Sequence, residues 1–512
     1  MYNTDKSSIK SGINILISFL LYFFAIVMIG IAFYLCLNES IWSDEAFSLE
    51  IIQHPYLDIM SITADDVHPP LYYFVLKLIV DVVRWIFPGA STVIIGKCVS
   101  VVPIVCLIAV AGTIIRKEWG ILTSAIFAIA VIGMPHLMYL AIEIRMYSWA
   151  MLFVTLAFLK SYFVAKYKKR KDWIWFVVFS LASAYTQYFA LIEVAFAYLY
   201  LLLFFVVMDR KRLKEWIICA IATIIGYLPW LGCVISQVTR VSSDYWLEAG
   251  GFSKVKDYII YIVCPEIVDD LARLSGEVLL VLFALMFVYM AFTTVKKKKV
   301  EQGAEVGFVF FAACSLPATM IFGVVVSVLL RPIFLDRYLI PAAGVFWLAL
   351  LIVVNYQESE KRTFWKIFSI LISLIVIANC AINTSVRITK ENSIKSNYSR
   401  LESILEGLEN NAVVVTNDSH LVRTLNTITG VECYLFSDED VIFRDAFYDN
   451  VGVVKSKKEV DEMAAGEKEL YFVLHKKAGY PMLDDMFEQK ELCIECGDYC
   501  LERYGLKIYK MK

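Results

Sequence analysis

About eleven long apolar runs restrict this 512-residue chain to one class of architecture. A helix needs about 20 predominantly apolar residues to cross the hydrocarbon core of a bilayer. Hydrophobic residues make up 59% of the chain and charged residues only 19%, which is unlike a soluble domain. The sequence therefore predicts a polytopic α-helical membrane protein. The predicted spans are residues 13–37, 92–115, 120–141, 146–165, 173–188, 190–208, 215–235, 277–295, 305–330, 338–355 and 364–385.

The basic clusters between these runs fall on one side of the eleven-span count. They are Lys6 with Lys10, Arg116 with Lys117, residues 166–171, residues 209–214, residues 296–299, and Lys361 with Arg362. Cytoplasmic loops carry an excess of Lys and Arg, so this side is predicted to be the cytoplasm. We therefore predict a multi-pass protein of the cytoplasmic membrane with a cytoplasmic N-terminus. Residues 38–91 and the chain from Val386 onward are predicted to be extracytoplasmic.

Residues 71–87 are apolar, but they also carry Lys77, Asp81 and Arg84. Counting this segment as a span would invert every later loop and place the lysine cluster at 296–299 outside. We interpret it instead as an amphipathic helix that lies in the membrane interface. It would belong to a long first external loop, residues 38–91.

The composition changes after the last apolar run and predicts a second domain. Strand-like runs at 412–416, 432–436 and 469–474 alternate with helical stretches at 398–408 and 457–465. We predict a transmembrane domain over residues 1–386 and a soluble extracytoplasmic α/β domain over residues 387–512. The absence of a Gly-rich loop after the first strand argues against nucleotide binding.

The cysteines and the net charge say less about function. Cys493, Cys496 and Cys500 form a small group in the soluble region, with no second pair of ligands beside it. A disulfide, a metal site and ordinary thiols all remain open. The net charge is −2, and the basic residues are not gathered into one patch. No nucleic-acid partner is therefore expected.

Polar residues gather in the predicted external segments. Asp44 and Glu45 follow Ser43, a residue type that caps helices, and the first turn of a helix favours carboxylates. A capped interfacial helix explains this pair as well as catalysis does. Further along the loop, His68 and Tyr72 flank two prolines that stiffen the backbone.

Two later segments carry arginines close to predicted span ends. Glu143, Arg145 and Tyr147 occupy a short turn, where a structural ion pair or snorkelling to the membrane interface explains the charges as well as a functional role does. Arg331 and Arg337 run against the usual depletion of basic residues outside the membrane. Because a guanidinium forks well onto phosphate, these arginines indicate contact with a lipid phosphate at headgroup depth.

Four short motifs, taken in order, resemble those of a known family. They are Asp-Glu-Ala at 44–46, His-Pro-Pro-Leu-Tyr-Tyr at 68–73, Glu-x-Arg-Met-Tyr at 143–147 and Arg-Tyr-Leu-x-Pro at 337–341. The chain resembles membrane glycosyltransferases of the GT-C fold, similar to glycosyltransferase family 39. It is similar to bacterial relatives of the dolichyl-phosphate-mannose protein mannosyltransferases and the aminoarabinose transferase. The resemblance covers residues from about 10 to 385.

This resemblance implies an inverting hexosyl- or pentosyltransferase. The donor would be a polyprenyl-phosphate sugar, and the acceptor an envelope glycan, lipid or protein at the outer face of the membrane. Asp44 would act as general base, with Glu45 beside it. The implied substrate and lipid-phosphate residues are His68, Tyr72, Glu143, Arg145, Tyr147, Arg331, Arg337 and Tyr338.

Some members of this family hold a divalent metal. Asp44, Glu45, His68 and Glu143 could supply ligands, but no fixed spacing marks a metal site, and we expect no obligatory metal. The alternative function is a lipid or polysaccharide flippase or transporter, which would carry charges at mid-membrane and paired broken helices. A structural or sensory protein would leave the Asp-Glu and His-Pro-Pro motifs unexplained.

Overall fold

The computed structural model describes most of the chain. The described residues are 2–243, 252–267, 269–297, 300–329, 333–359, 363–408, 412–437, 451–466, 468–476, 493–502 and 504–511. The chain divides into two compact units. The first comprises Met1–Tyr34, Met60–Val75 and Lys97–Arg387, and the second comprises Leu35–Ile59, Leu76–Gly96 and Ile388–Lys512. The second unit thus contains two stretches of the first loop as well as the C-terminal residues.

Helices account for most of the described residues. In chain order they are α1 (Tyr2–Leu35), α2 (Ser43–Ile51), α3 (Tyr56–Asp65), α4 (Leu71–Ile86), α5 (Thr92–Val110), α6 (Arg116–Trp119), α7 (Ile121–Gly133), α8 (Leu137–Ile142), α9 (Tyr147–Tyr167), α10 (Arg170–Thr186), α11 (Tyr188–Met208), α12 (Leu213–Ser243), α13 (Val255–Val263), α14 (Asp270–Lys297), α15 (Val300–Leu329), α16 (Ile340–Ser359), α17 (Thr363–Leu408), α18 (Ser419–Thr429) and α19 (Lys457–Ala464). A π-helical segment, Ala111–Ile115, joins α5 to α6.

Nine helical segments within the described ranges are long and apolar enough to cross a membrane. They are Asn14–Leu35, Thr92–Trp119, Tyr147–Tyr167, Tyr188–Met208, Arg210–Thr239, Asp270–Thr293, Gly303–Leu329, Asp336–Tyr356 and Trp365–Leu401. The polytopic membrane class is therefore confirmed. The predicted count of eleven is not confirmed, because the predicted spans at 120–141 and 173–188 form shorter helices. These are α7, with 13 residues, and α10, with 17.

A break in the backbone explains why α7 is short. Pro135 disfavours helical geometry in the residue before it, and Met134 is indeed extended. His136 then takes a left-handed conformation with φ 61°, after which α8 begins. Asn383 on α17 donates to the carbonyl of Gly133 at 3.0 Å, so one of the carbonyls left over at the end of α7 is satisfied.

Helix α4 matches the segment predicted to lie in the membrane interface. Leu76 and Val80 on one face are buried. The opposite face exposes an apolar stripe of Leu78, Val82, Trp85 and Ile86. The structure confirms a helix of 16 residues, while its amphipathic role in the membrane interface remains a prediction.

The C-terminal residues form a mixed six-stranded sheet, which confirms the predicted α/β domain. The strands are β1 (Ala412–Thr416), β2 (Glu432–Phe436), β3 (Val451–Val454), β4 (Glu469–His475), β5 (Cys493–Leu501) and β6 (Tyr504–Met511). Their order is β3-β2-β1-β4-β6-β5. The first four strands pair in parallel, and β6 pairs antiparallel with both β4 and β5. The sequence predicted β1, β2 and β4 but missed β3, β5, β6 and α18.

Each face of this sheet is covered by its own apolar cluster. Leu421 and Leu425 of α18, with Leu401 of α17, pack on one face, and Val460 of α19 packs on the other. Two-sided burial is typical of parallel strands and explains the unbroken apolar run of β1.

The cysteines of interest lie on the last antiparallel pair. Cys496 and Cys500 lie on β5, and burial raises the pKa of both thiols. Cys493 belongs to the same strand, but its side chain lies outside what the structure describes.

Candidate functional site

A buried arginine forms the centre of a polar cluster in the first unit. Arg145 is only 2% exposed, and its Nη2 lies 3.2 Å from Nε2 of His68. Nδ1 of His68 lies 3.0 Å from Oδ2 of Asp66. A guanidinium can only donate hydrogen bonds, so Nε2 must accept and the ring proton must sit on Nδ1, where it is donated to Asp66. The imidazole is thus neutral and orients the guanidinium.

The loop that carries His68 is held by the end of α3 that precedes it. Gln237 on α12 donates to the carbonyl oxygens of Thr63 at 2.9 Å and Ala64 at 3.1 Å. The side chain of Gln237 also accepts a hydrogen bond from the hydroxyl of Tyr188 on α11. These contacts fix the backbone just before Asp66, which lets a short loop present an ordered histidine.

Tyr72 lies in the helix packing next to this cluster. Its hydroxyl is 3.2 Å from Oγ of Ser100 on α5, and the carbonyl of Ser100 accepts from Ser148 on α9 at 2.6 Å. Tyr72 is 1% exposed. It therefore joins three helices rather than facing open space.

The turn between α8 and α9 brings Glu143 beside Arg145. The backbone N–H of Arg145 donates to the carbonyl of Glu143 at 2.7 Å, which tightens the turn. Oε1 of Glu143 accepts from the hydroxyl of Tyr139 at 3.3 Å, and the guanidinium of Arg387 lies 4.6 Å from the Tyr139 ring centroid. Glu143 is 3% exposed, so its carboxylate depends on these buried neighbours.

A second arginine approaches the same region from the segment before α16. The guanidinium of Arg337 lies 6.0 Å from the ring centroid of Tyr147, at the outer limit of a cation–π contact. Both Arg337 and Arg145 act electrostatically on the Tyr147 hydroxyl. Tyr338 lies 6.5 Å from Tyr147 between ring centroids and stacks on Phe189 at 5.0 Å. Two guanidinium groups thus converge on one buried tyrosine.

An apolar cavity of about 440 Å³ reaches this cluster. Its walls come mainly from α11, α12 and α15, and include Ile192, Val234 and Phe322. Two of the predicted site residues, His68 and Tyr338, also line it. The cavity therefore combines an apolar body with polar groups at residues that contact Arg145 and Tyr147.

Asp44 and Glu45 lie in the second unit, in the first turn of α2. The helix begins at Ser43 with Trp42 at the N-cap position, so the expectation that Ser43 caps it was wrong. Oε2 of Glu45 instead accepts from the backbone N–H of Trp42 at 3.3 Å, and Glu45 is 3% exposed. Asp44 is only partly buried. Of the two carboxylates, Glu45 thus supports the helix start and Asp44 is the accessible one.

Solved structures provide the comparison for this fold. No family model and no curated protein matches the chain. The chain is similar to ArnT from Cupriavidus metallidurans in the apo state, with a TM-score of 0.57 and 9% identity over 99% of this chain and 98% of that chain. The chain has the GT-C fold. This agreement over nearly the full length of both chains confirms the fold predicted from the motifs.

Two further structures are similar to the chain. ArnT bound to undecaprenyl phosphate gives a TM-score of 0.53 and 10% identity, covering 95% of this chain and 97% of that chain. The oligosaccharyltransferase AglB from Archaeoglobus fulgidus, in complex with an inhibitory peptide and a dolichol-phosphate, gives 0.46 and 10% identity. That match covers 88% of this chain and 69% of AglB.

Three residues of this GT-C chain escaped the sequence analysis. Lys97 is 4% exposed on α5, and a lysine inside an apolar run was the signal that could have revealed it. Arg387 lies just beyond the predicted end of the last span. Burial, together with the nearby charges of Asp336 and Glu143, raises the pKa of the Tyr261 hydroxyl on α13 well above the ordinary value. Arg331, which the sequence did single out, lies outside the described residues.

The residues considered as metal ligands do not form a ligand set. Across the described parts of the chain, no three His, Cys, Asp or Glu side chains converge on a position that could hold an ion. His68 uses one ring nitrogen toward Asp66 and the other toward Arg145, which leaves neither for a metal. We therefore derive no chemical step through a metal.

Proposed function

We propose that this GT-C protein is an inverting glycosyltransferase. It would move a hexose or pentose from a polyprenyl-phosphate donor to an envelope glycan, lipid or protein at the outer face of the cytoplasmic membrane. The observation that best supports this proposal is Arg145, a buried guanidinium oriented by His68, which itself lines a 440 Å³ apolar cavity. A lipid phosphate needs this combination, because its tail favours apolar walls and its head favours a guanidinium.

The proposed reaction is a single displacement. The acceptor hydroxyl attacks the anomeric carbon from the face opposite the phosphate, and the bond from that carbon to the phosphate oxygen breaks. The polyprenyl phosphate leaves with the electron pair, while Asp44 takes the proton of the acceptor. One attack from the opposite face inverts the configuration at the anomeric carbon.

Arg145 and Arg337 supply the charge stabilisation in this proposal. Negative charge grows on the phosphate oxygen as the bond to the sugar breaks, and a guanidinium already in place stabilises it without reorganising. Asp66 and His68 hold Arg145 in that position. Tyr147 and Tyr338 form the buried aromatic surface beside Arg337.

Asp44 suits the role of base better than its neighbour. It lies in the first turn of α2, where the helix dipole favours the ionised carboxylate that a base must present. Glu45 already accepts the N–H of Trp42, so we assign it support of this turn. ArnT has been solved with undecaprenyl phosphate bound, and we extend that lipid class to the donor of this chain.

The proposed function is tested by transfer in nanodiscs supplied with a panel of labelled undecaprenyl-phosphate sugars. We expect sugar transfer with release of undecaprenyl phosphate. Val234→Trp, which fills the cavity, should raise the donor KM about tenfold or more. Ile235→Trp is the matched control, because Ile235 is 62% exposed on the same helix. No transfer by the wild type with any donor, or equal donor KM values for both variants, would contradict the proposal.

The proposed orientation gives a separate prediction. Lys458→Cys on α19 should react with a membrane-impermeant maleimide added to intact cells, because the C-terminal domain is proposed to lie outside. Lys211→Cys, in the basic loop after α11, should react only after the cells are opened. Both lysines are exposed, so access depends on the side of the membrane. The reverse labelling pattern would overturn the orientation. The wild-type protein, which lacks the added cysteines, gives the background labelling from its native thiols.

A further inference from the structure

We infer that the C-terminal domain positions Asp44, through a buried hydrogen bond between Glu391 and Asn38 and through the packing of α18 on α2. This inference rests on the proposed function, because it gives Asp44 the role of base. Glu391 and Asn38 are positioning residues here, since neither is assigned a contact with substrate. All the residues concerned belong to the second unit.

The hydrogen bond joins residues that are far apart in the sequence. Nδ2 of Asn38 donates to Oε2 of Glu391 on α17 at 3.0 Å, and both residues are buried, at 3% and 6% exposure. A buried carboxylate is costly unless it is hydrogen-bonded, so this contact constrains Asn38 strongly. The segment before α2 is thereby tied to the helix that leads into the C-terminal sheet.

Asn38 also hydrogen-bonds to the backbone that leads into α2. Its Oδ1 accepts from the backbone N–H of Ser40 at 3.2 Å, which forms a local turn two residues on. Ser40 and Ile41 are fully buried, and Trp42 then donates its N–H to Glu45. Each link between Glu391 and the first turn of α2 is thus a buried contact. Asp44 lies in that turn.

Packing provides the second contact with the same helix. Helix α18 contacts α2, and Leu49 and Ile52 at the C-terminal end of α2 lie beside Thr427 and Ile428 of α18 along one groove. The buried face of α18 belongs to the apolar cluster on the sheet that also contains Leu401 of α17. Helices α17 and α18 are therefore fixed by one core, and both hold the element that carries Asp44.

The Asn38–Glu391 contact is therefore expected to affect the rate of the reaction and not the binding of substrates. A small displacement of a catalytic group can slow a reaction about 100-fold without weakening substrate binding. Loosening the Asn38–Glu391 contact should therefore lower kcat and leave the KM values for donor and acceptor nearly unchanged. It should also loosen α2, whether or not sugar is transferred.

The test is a reversal of the hydrogen bond in the full-length protein. Asn38→Asp places a second carboxylate against Glu391, and we expect kcat to fall about 10- to 100-fold. Glu391→Gln keeps an oxygen that accepts from Asn38 and should have little effect. In the N38D/E391Q double variant, the amide introduced on α17 can donate to the carboxylate introduced before α2, and kcat should recover. Asn38→Ser removes the amide without adding charge, and it replaces Asn38→Asp in the test if that variant folds poorly.

A second measurement separates this inference from the proposed function. Amide hydrogen exchange over Ser43–Ile51 should be faster in Asn38→Asp and return to the wild-type rate in the double variant. Failure of the double variant to recover, or unchanged exchange and kcat in both Asn38 variants, would overturn the positioning role. The exchange pattern without any transferase activity would retain the structural coupling and reject the glycosyltransferase proposal.

Discussion

Replacing Asp44 with asparagine is expected to lower the rate of sugar transfer about 10²- to 10⁴-fold, the usual contribution of a general base. Asparagine has nearly the same size as aspartate but cannot take the proton of the acceptor hydroxyl. It also tolerates the first turn of a helix, so α2 should still form. The effect should appear in kcat, measured in nanodiscs at saturating donor and acceptor, with membrane insertion verified.

Asp58→Asn is the matched control for this experiment. Asp58 lies in the first turn of α3 and is exposed, so the control removes the same charge from the same kind of position. It should retain wild-type transfer. A wild-type rate in Asp44→Asn would remove Asp44 from the mechanism, and a large loss in both variants would show that charge in the loop, not a base, is needed.

Replacing Arg145 with glutamine is expected to lower kcat/KM for the donor about 10²- to 10³-fold, as the loss of one charge-stabilising donor does. The substitution removes the guanidinium that His68 and Asp66 orient, at a position only 2% exposed. Arg145→Lys should recover part of the rate, because an ammonium keeps the charge but loses the fork that matches a phosphate. Binding of undecaprenyl phosphate alone should weaken in the same order.

Arg84→Gln provides the control for the loss of an arginine. Arg84 lies on α4 and is exposed, so its replacement should leave donor kinetics unchanged. Thermal unfolding of each variant separates a weaker donor site from a less stable protein. Equal kcat/KM for Arg145→Gln and wild type would reject the role of the guanidinium in donor binding.

The fold was predictable where local pattern decides it. The strands at 412–416 and 432–436 match β1 and β2, because an apolar run bounded by polar residues leaves little choice. The number of spans was harder to predict, because a hydropathy average does not reveal a single break in a helix. Residues 120–141 are apolar throughout, yet Pro135 and the left-handed His136 divide them into α7 and α8. Helix α18 was missed although Leu421, Val422 and Leu425 have the spacing of one apolar helix face.

The site was predictable in its residue types but not in its contacts. The motifs marked His68 and Arg145, yet 77 residues separate them, and helix packing alone brings their side chains together. Tyr72 was predicted to bind substrate, and its contact with Ser100 could not be read from the sequence. Tyr261 carried no signal, since a tyrosine in a long loop looks the same whether it is buried or exposed. Sequence patterns report what each segment favours, and these contacts depend on how segments meet.

The tautomer of His68 has a consequence for the conditions in which the protein can work. Its Nε2 accepts from Arg145, and that lone pair is the one that an added proton would occupy. Acidification would turn an attractive contact into two cations facing each other and push the guanidinium from its place. Acidification should therefore weaken binding of the proposed polyprenyl-phosphate donor, and in the proposed orientation the acidity of the cell exterior would act directly on Arg145 and His68.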